Sequence, residues 1–118
     1  MSAAAADLRV VAVTITHGFH AVMTAQPGRG DELVALLLDA PSLPDEDCLV
    51  FLVSRSAGNP DVVSVAEGWS SEQAHAAFFA GDAAQTFVAK LQPLLDGESS
   101  YSDAVPVGGK PAFETSGK

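Results

Sequence analysis

The chain has 118 residues, of which 47% are hydrophobic and 18% are charged. This balance supplies enough apolar surface for the core of one domain and argues against intrinsic disorder. Fifteen acidic residues against six basic ones give a formal net charge of −9. Because such a chain repels phosphate groups, we expect neither nucleic acid nor a membrane surface as a partner.

The expected location is the cytoplasm. The sequence shows neither a signal-peptide pattern nor an apolar run of the ~18–20 residues that a membrane helix needs. Cys48 is the only cysteine, so an internal disulfide is impossible and a small buried side chain is the expected role. We assign residues 8–109 to one domain and residues 1–7 and 110–118 to flexible tails.

The first half of the chain predicts a strand followed by a helix. Residues 8–25 are rich in Val, Thr, Ile and Phe, which favour a strand, with a break expected near Gly18. Pro27-Gly28 marks a turn. Residues 30–39 then show the apolar spacing of an amphipathic helix, carried by Leu33, Leu36, Leu37 and Ala40.

The middle of the chain predicts a hairpin. Residues 48–54 and 62–69 have strand composition, and the turn-forming sequence Ala-Gly-Asn-Pro-Asp separates them at residues 57–61.

A second helical region and an edge strand complete the pattern. Ser70 and Gln73 fit a capping box, so a helix is expected over about residues 71–92, with a break at Gly81-Asp82. Residues 99–107 are weakly strand-like, and Pro106 places them at a sheet edge. The order β, α, β, β, α, β predicts an α+β fold, the ferredoxin-like split βαβ with a four-stranded antiparallel sheet.

Four segments resemble the antibiotic biosynthesis monooxygenase family, over about residues 19–109. They are the strand entering Pro27-Gly28, the Cys48-Leu49 start of a strand, residues 67–74 (Glu-Gly-Trp-Ser-Ser-Glu-Gln-Ala), and residues 87–95 leading to Val-Pro-Val-Gly-Gly at 105–109. Asp47 departs from the Gly that relatives often carry before the Cys.

The resemblance implies a homodimer, the dimeric α+β barrel, in which two four-stranded sheets face each other. It also implies oxidation of phenols, anthrones or quinols by molecular oxygen, with no metal, flavin or haem cofactor. In that chemistry the electron-rich anion of the substrate reacts with oxygen, and the protein supplies an apolar pocket, a proton acceptor and hydrogen-bond donors.

Three residues are candidates for the chemistry. Trp69 ends a strand, where its indole can donate a hydrogen bond, line an aromatic site or simply cover the core. Glu67 shares a sheet face with Trp69 because strand side chains alternate. It is either a proton acceptor or a structural acid paired at the dimer interface. His75 lies early in the second helical region, where the helix dipole favours a neutral imidazole, so it is either a general base or an exposed side chain.

A second group of residues is predicted to bind a small aromatic substrate. His20 is the better pocket candidate of the first strand, and His17 lies on the opposite face if that strand is regular. Aromatic residues at the other positions also suit an ordinary core. This group consists of His20, Phe51, Phe78, Phe79 and Phe87.

The sequence departs from the family at one position that bears on activity. Many relatives carry a His nine residues beyond the strand-end Trp, and here Phe78 stands there, with His75 one turn earlier. Haem-degrading relatives carry an Asn, a Trp and a His where this chain has Ala21, Phe78 and Val88, so haem binding is disfavoured.

These observations leave three hypotheses. The leading one is a cofactor-independent monooxygenase or quinol-type oxidase that acts on a small phenol, hydroquinone or polyketide-like aromatic. The alternatives are a non-catalytic dimeric module that binds a small ligand or a partner protein, and a structural dimer whose core is filled.

Overall fold

The computed structural model describes residues 13–110 and 113–114. Strands and helices follow the order predicted from the sequence, with one short strand added at each end. In chain order they are β1 (Val13–Thr14), β2 (His17–Thr24), α1 (Gly30–Leu37), β3 (Cys48–Arg55), β4 (Val62–Trp69), α2 (Glu72–Ala80), α3 (Asp82–Leu91), a 3-10 turn (Gln92–Leu94), β5 (Ser100–Ala104) and β6 (Phe113–Glu114).

Four strands form one antiparallel sheet in the order β3-β4-β2-β5. This is the predicted ferredoxin-like α+β arrangement, and β5 lies at the sheet edge as Pro106 indicated. The first strand region breaks at residues 15–16, just before the expected position at Gly18. There the backbone N–H of Thr16 bonds to the Trp69 carbonyl at 3.1 Å.

The short strands β1 and β6 pair with each other in parallel. Strand β6 falls in residues 110–118, which the sequence assigned to a tail, and it was not predicted. The other tail, residues 1–7, lies outside the described residues, as do residues 8–12, 111–112 and 115–118.

The hairpin of β3 and β4 brings its loop against the start of α1. The Asp61 carboxylate accepts hydrogen bonds from the backbone N–H groups of Gly28 and Gly30, each at 2.9 Å. Gly28 needs its left-handed φ of 80° to make the turn. Asp61 therefore satisfies two amides at the helix start from outside the helix, a cap that local sequence patterns do not reveal.

The second helical region begins one residue later than the predicted capping box. Ser71, rather than Ser70, is the N-cap, and its hydroxyl accepts from the Ala74 N–H at 3.0 Å. Ser70 instead donates to the Asp47 carboxylate at 2.6 Å. The predicted break is confirmed, since Gly81 separates α2 from α3.

Alternation along the strands gives the sheet two different faces. Odd-numbered side chains of β2 and β4 point toward the helices and form the core with α1 and α3. That core consists of Ala21, Met23, Ala25, Leu33, Leu37, Val63, Val65 and Leu91. The opposite face is more open: Leu52 is 59% exposed, and His20 is exposed as well.

Among the described residues, the structure contains no helix with the length and apolar character needed to cross a membrane.

Candidate active site

A cavity of about 330 Å³ lies between the helix-covered face of the sheet and helices α2 and α3. This volume is at the small end of the ~300–1,000 Å³ typical of ligand pockets. Its aromatic lining comes from both layers and comprises Phe19, Phe51, Phe78, Phe79, Phe87 and Tyr101. Because this cavity lies between the sheet and helices α2 and α3, beside the packed core, the hypothesis of a filled core without a pocket is wrong.

One carboxyl group and one imidazole face this mostly apolar cavity, Glu67 from β4 and His75 from α2. Glu67 Oε1 accepts a hydrogen bond from the Trp69 indole N–H at 2.8 Å and lies 3.9 Å from His75 Nε2. Burial raises the pKa of the Glu67 carboxyl, while the Trp69 hydrogen bond and nearby His17 act in the opposite direction.

Trp69 anchors this polar pair from behind the cavity wall. Its side chain is fully buried, and it does not line the cavity itself. Its ring centroid lies 5.0 Å from that of His75 and 5.2 Å from that of Phe78. The prediction that Trp69 lines the pocket is therefore wrong. Trp69 instead covers the strand–helix junction, as the alternative held, and its indole donates a hydrogen bond to a residue of the site.

His75 lies on the first turn of α2, and rings from strand β2 pack against it. Its ring centroid lies 5.0 Å from that of His17 and 4.9 Å from that of Phe19. Burial lowers the pKa of the imidazole, and His17 lowers it further, while Asp103 raises it. The environment therefore favours the neutral ring.

His17 is the site residue that sequence reasoning missed. The residue is buried, with its Nε2 at 3.1 Å from His75 Nδ1 and 3.3 Å from Asp103 Oδ1. The register pairs His17 with Trp69 across β2 and β4, so both side chains point toward the helices. The sequence indicates that side chains alternate along β2, but it does not show which residue of β4 lies opposite His17, so it could not reveal which face of the sheet His17 shares with Trp69.

His20 corrects the prediction made for the first strand. It lies on the face opposite His17, as alternation required, but that is the open face of the sheet, where His20 pairs with Ala66 and Ser102. Its side chain is exposed and does not line the cavity. The prediction that His20 binds substrate in this pocket is therefore wrong.

The other predicted residues come together around the cavity. Phe51, Phe78, Phe79 and Phe87 all contribute to its wall, and Phe79 is 51% exposed, which places it at the rim. Phe51 and Phe87 also pack against the buried core. Phe51 and Phe87 therefore serve both as core residues and as part of the cavity wall.

Comparisons with known proteins agree with this architecture. The model of the family described as antibiotic biosynthesis monooxygenase matches residues 16–90. A protein from Chloroflexus aurantiacus J-10-fl named for this family is similar in structure, with a TM-score of 0.72, 28% identity, and coverage of 82% of this chain and 98% of that one. No curated protein matches the sequence.

Two further solved structures named for the same family share the fold. The one from Caulobacter crescentus CB15 has a TM-score of 0.71 and 21% identity, covering 86% of this chain and 98% of the other. The one from Deinococcus radiodurans has a TM-score of 0.70 and 18% identity, covering 82% and 98%. Since the family model matches more than half of the sequence, the chain belongs to the antibiotic biosynthesis monooxygenase family.

Proposed function

We propose that this protein oxidises a small phenol, hydroquinone or polyketide-like aromatic with molecular oxygen, as a monooxygenase or quinol-type oxidase. The observation that carries the proposal is the Glu67–His75 pair, which faces a mostly apolar, partly aromatic cavity of about 330 Å³ in a member of this family. A pocket of that size and lining suits a compact planar ligand that presents a hydroxyl group to the pair.

The hydrogen bonds around His75 favour one division of roles. Asp103 accepts but cannot donate when ionised, so the hydrogen on His17 Nε2 is best placed between Asp103 and His75 Nδ1. His75 then carries its own hydrogen on Nε2, the atom nearest Glu67. We assign Glu67 as the proton acceptor and His75 as a donor to developing negative charge, with Trp69 orienting Glu67.

The proposed reaction takes its electrons from the substrate. Transfer of a hydroxyl proton to Glu67 leaves an electron-rich phenolate, which reacts with oxygen. In the oxidase form, a hydroquinone and O₂ give a quinone and H₂O₂; in the monooxygenase form, they give a hydroxyquinone and water. Neither balance needs an electron-transferring cofactor, which supports the cofactor-independent mechanism implied by the family.

Oxygen uptake by purified protein against a panel of hydroquinones and anthrones tests this proposal. We expect protein-dependent uptake with at least one compact member of the panel, and assay of H₂O₂ then separates the two reaction forms. Unchanged turnover in both Trp69→Phe and His75→Ala would remove the roles assigned to those residues.

A second candidate function has one observation in its favour. Phe78 lines the cavity at the position where many relatives carry a His, which makes the pocket more apolar than the family pattern. This favours a non-catalytic module that binds a small apolar ligand or a partner. Tight binding of a panel compound without oxygen consumption supports this second function and contradicts the first.

We also propose that the protein is a homodimer built on the open face of the sheet. Leu52 is 59% exposed on that face, and the neighbouring Val22 and Ala66 are only partly buried. Covering such a face removes apolar surface from water, and the facing sheets of the family's dimeric barrel would do so.

A further inference from the structure

A cluster beside the cavity brings together two imidazoles and a carboxylate. His17 comes from the start of β2, His75 from α2 and Asp103 from β5, and one ligand-type atom of each lies within 4.8 Å of the other two. The three residues are far apart in sequence, so the tertiary fold creates the cluster. We propose that His17 Nε2, His75 Nδ1 and the Asp103 carboxylate form a binding site for a divalent first-row transition metal ion such as Zn²⁺.

The separations of the donor atoms suit a common metal ion. His17 Nε2 lies 3.1 Å from His75 Nδ1 and 3.3 Å from Asp103 Oδ1. Bonds of ~2.0–2.2 Å to zinc, with angles between octahedral and tetrahedral values, separate neighbouring ligand atoms by about 3.0–3.5 Å. Both distances from His17 Nε2 fall in that interval, and the third pair, His75 Nδ1 and the Asp103 carboxylate, lies within 4.8 Å.

The two short contacts within this cluster compete for one hydrogen atom. Both short contacts converge on the same atom, His17 Nε2, which carries at most one hydrogen. If that hydrogen is absent, the Asp103 carboxylate faces the lone pair of His17 Nε2. If it is present, His75 Nδ1 and the Asp103 carboxylate share it as acceptors. A cation replaces the shared hydrogen and interacts favourably with all three donors at once.

The surroundings of His75 resemble the outer shell of a metal-bound imidazole. Histidine ligands commonly donate their other ring N–H to a carboxylate, which fixes the ring orientation. Here the second nitrogen, Nε2, faces Glu67 Oε1 at 3.9 Å, within reach of a small rotation. Glu67 is itself held by the Trp69 indole at 2.8 Å, so the supporting carboxylate is fixed in position.

The donor set and its exposure define the class of ion and its route of entry. Two imidazoles with one carboxylate suit Zn²⁺, Co²⁺, Ni²⁺ or Fe²⁺, whereas Mg²⁺ and Ca²⁺ prefer oxygen ligands. The Asp103 side chain is 71% exposed while that of His17 is 8% exposed. An ion can therefore enter from the Asp103 side and keep water on its remaining positions.

The site lies outside the cavity wall, on the side of His75 away from Glu67. Of its three residues, only His75 lines the cavity. A bound ion would fix the His75 ring with Nε2 turned toward Glu67. The ion would therefore position a residue of the cavity wall without contacting the cavity itself. This inference does not rest on the proposed function, because binding to the cluster is measured without substrate or oxygen.

Isothermal titration of untagged, chelator-stripped protein with ZnCl₂, in a buffer containing excess Mg²⁺, tests the proposal. The Mg²⁺ occupies non-specific carboxylate sites on this acidic chain. We expect one zinc site per chain, weakened at least tenfold in His17→Ala and in Asp103→Asn. The matched control is His20→Ala, which removes a histidine from the opposite sheet face and should leave the affinity unchanged.

Two results would overturn the assignment: absence of stoichiometric zinc binding in the wild-type protein, or equal affinity in the wild-type and Asp103→Asn proteins. Asp103→Asn changes an exposed side chain, so it gives a valid reading even where His17→Ala fails to fold. As a second readout, Co²⁺ in place of Zn²⁺ should give visible absorption bands of a nitrogen-ligated site in wild type and His20→Ala, and lose them in Asp103→Asn.

Discussion

Replacing Trp69 by Phe should destabilise the protein by an amount that the structure allows us to estimate. The substitution removes an indole N–H that donates to Glu67 at 2.8 Å, and a hydrogen bond to a charged group contributes about 1.5–3 kcal/mol. It also removes part of a fully buried ring, which adds about 1 kcal/mol of lost packing. The free energy of unfolding should therefore fall by about 3 kcal/mol.

A double-mutant comparison isolates the hydrogen bond from the packing. In a Glu67→Gln background the acceptor is neutral, and bonds to neutral groups are roughly half as strong, so Trp69→Phe should cost about 1 kcal/mol less there. Urea denaturation at pH 7, with chelator present and protomer concentration held constant, measures both values. A loss below about 1 kcal/mol, or equal losses in both backgrounds, would refute the view that Trp69 holds Glu67 in place.

Three further predictions concern other parts of the molecule. Burial and nearby carboxylates raise the pKa of Cys48 to about 12, so its thiolate is scarce at pH 8. Alkylation of the native protein by iodoacetamide should then be on the order of 10³-fold slower than alkylation of a free thiol, and its rate should rise about tenfold per pH unit up to about pH 11. Alkylation should become fast in urea. A rate for the native protein near that of a free thiol would contradict the burial of Cys48. Gly30→Ala would drive a methyl group into the Pro60 carbonyl oxygen and should lower the free energy of unfolding by about 1–3 kcal/mol. Gly58→Ala, whose methyl group meets nothing within 4 Å, should be close to neutral, and equal effects of the two substitutions would count against this packing. Leu52→Asp should convert a dimer into monomers in sedimentation velocity without loss of the circular dichroism of the fold, and a dimer that persists would place the interface elsewhere.

The sequence predicted the fold well because its signals are local and periodic. Leu33 and Leu37 lie at helical spacing and are buried as expected, and the turn at residues 57–61 produced the hairpin. The cap that Asp61 supplies to α1 was not predictable, because it joins groups 31 and 33 residues apart. The β1–β6 pairing was missed because strands of two residues leave no periodicity to detect.

The hydrogen-bonded contacts of the candidate site were predictable only where one element carried both partners. Glu67 and Trp69 lie two residues apart on one strand, so alternation placed them together, and the structure joins them by a hydrogen bond. His17 and His75 are 58 residues apart, and their contact depends on the register between β2 and β4. Without that register, the sequence does not show which face of β2 the helices cover, and His20, the residue chosen, lies on the open face.

The measurement that tests the central claim most directly is the rate of oxygen uptake with a reactive hydroquinone by wild-type, Glu67→Gln and His20→Ala proteins, each treated with chelator. Removing the proposed proton acceptor should lower kcat by at least about 10²-fold, while His20→Ala, altered on the open face of the sheet, should match the wild type. Uptake by Glu67→Gln equal to that of the wild type, or no uptake by the wild type with any hydroquinone or anthrone, would contradict the account.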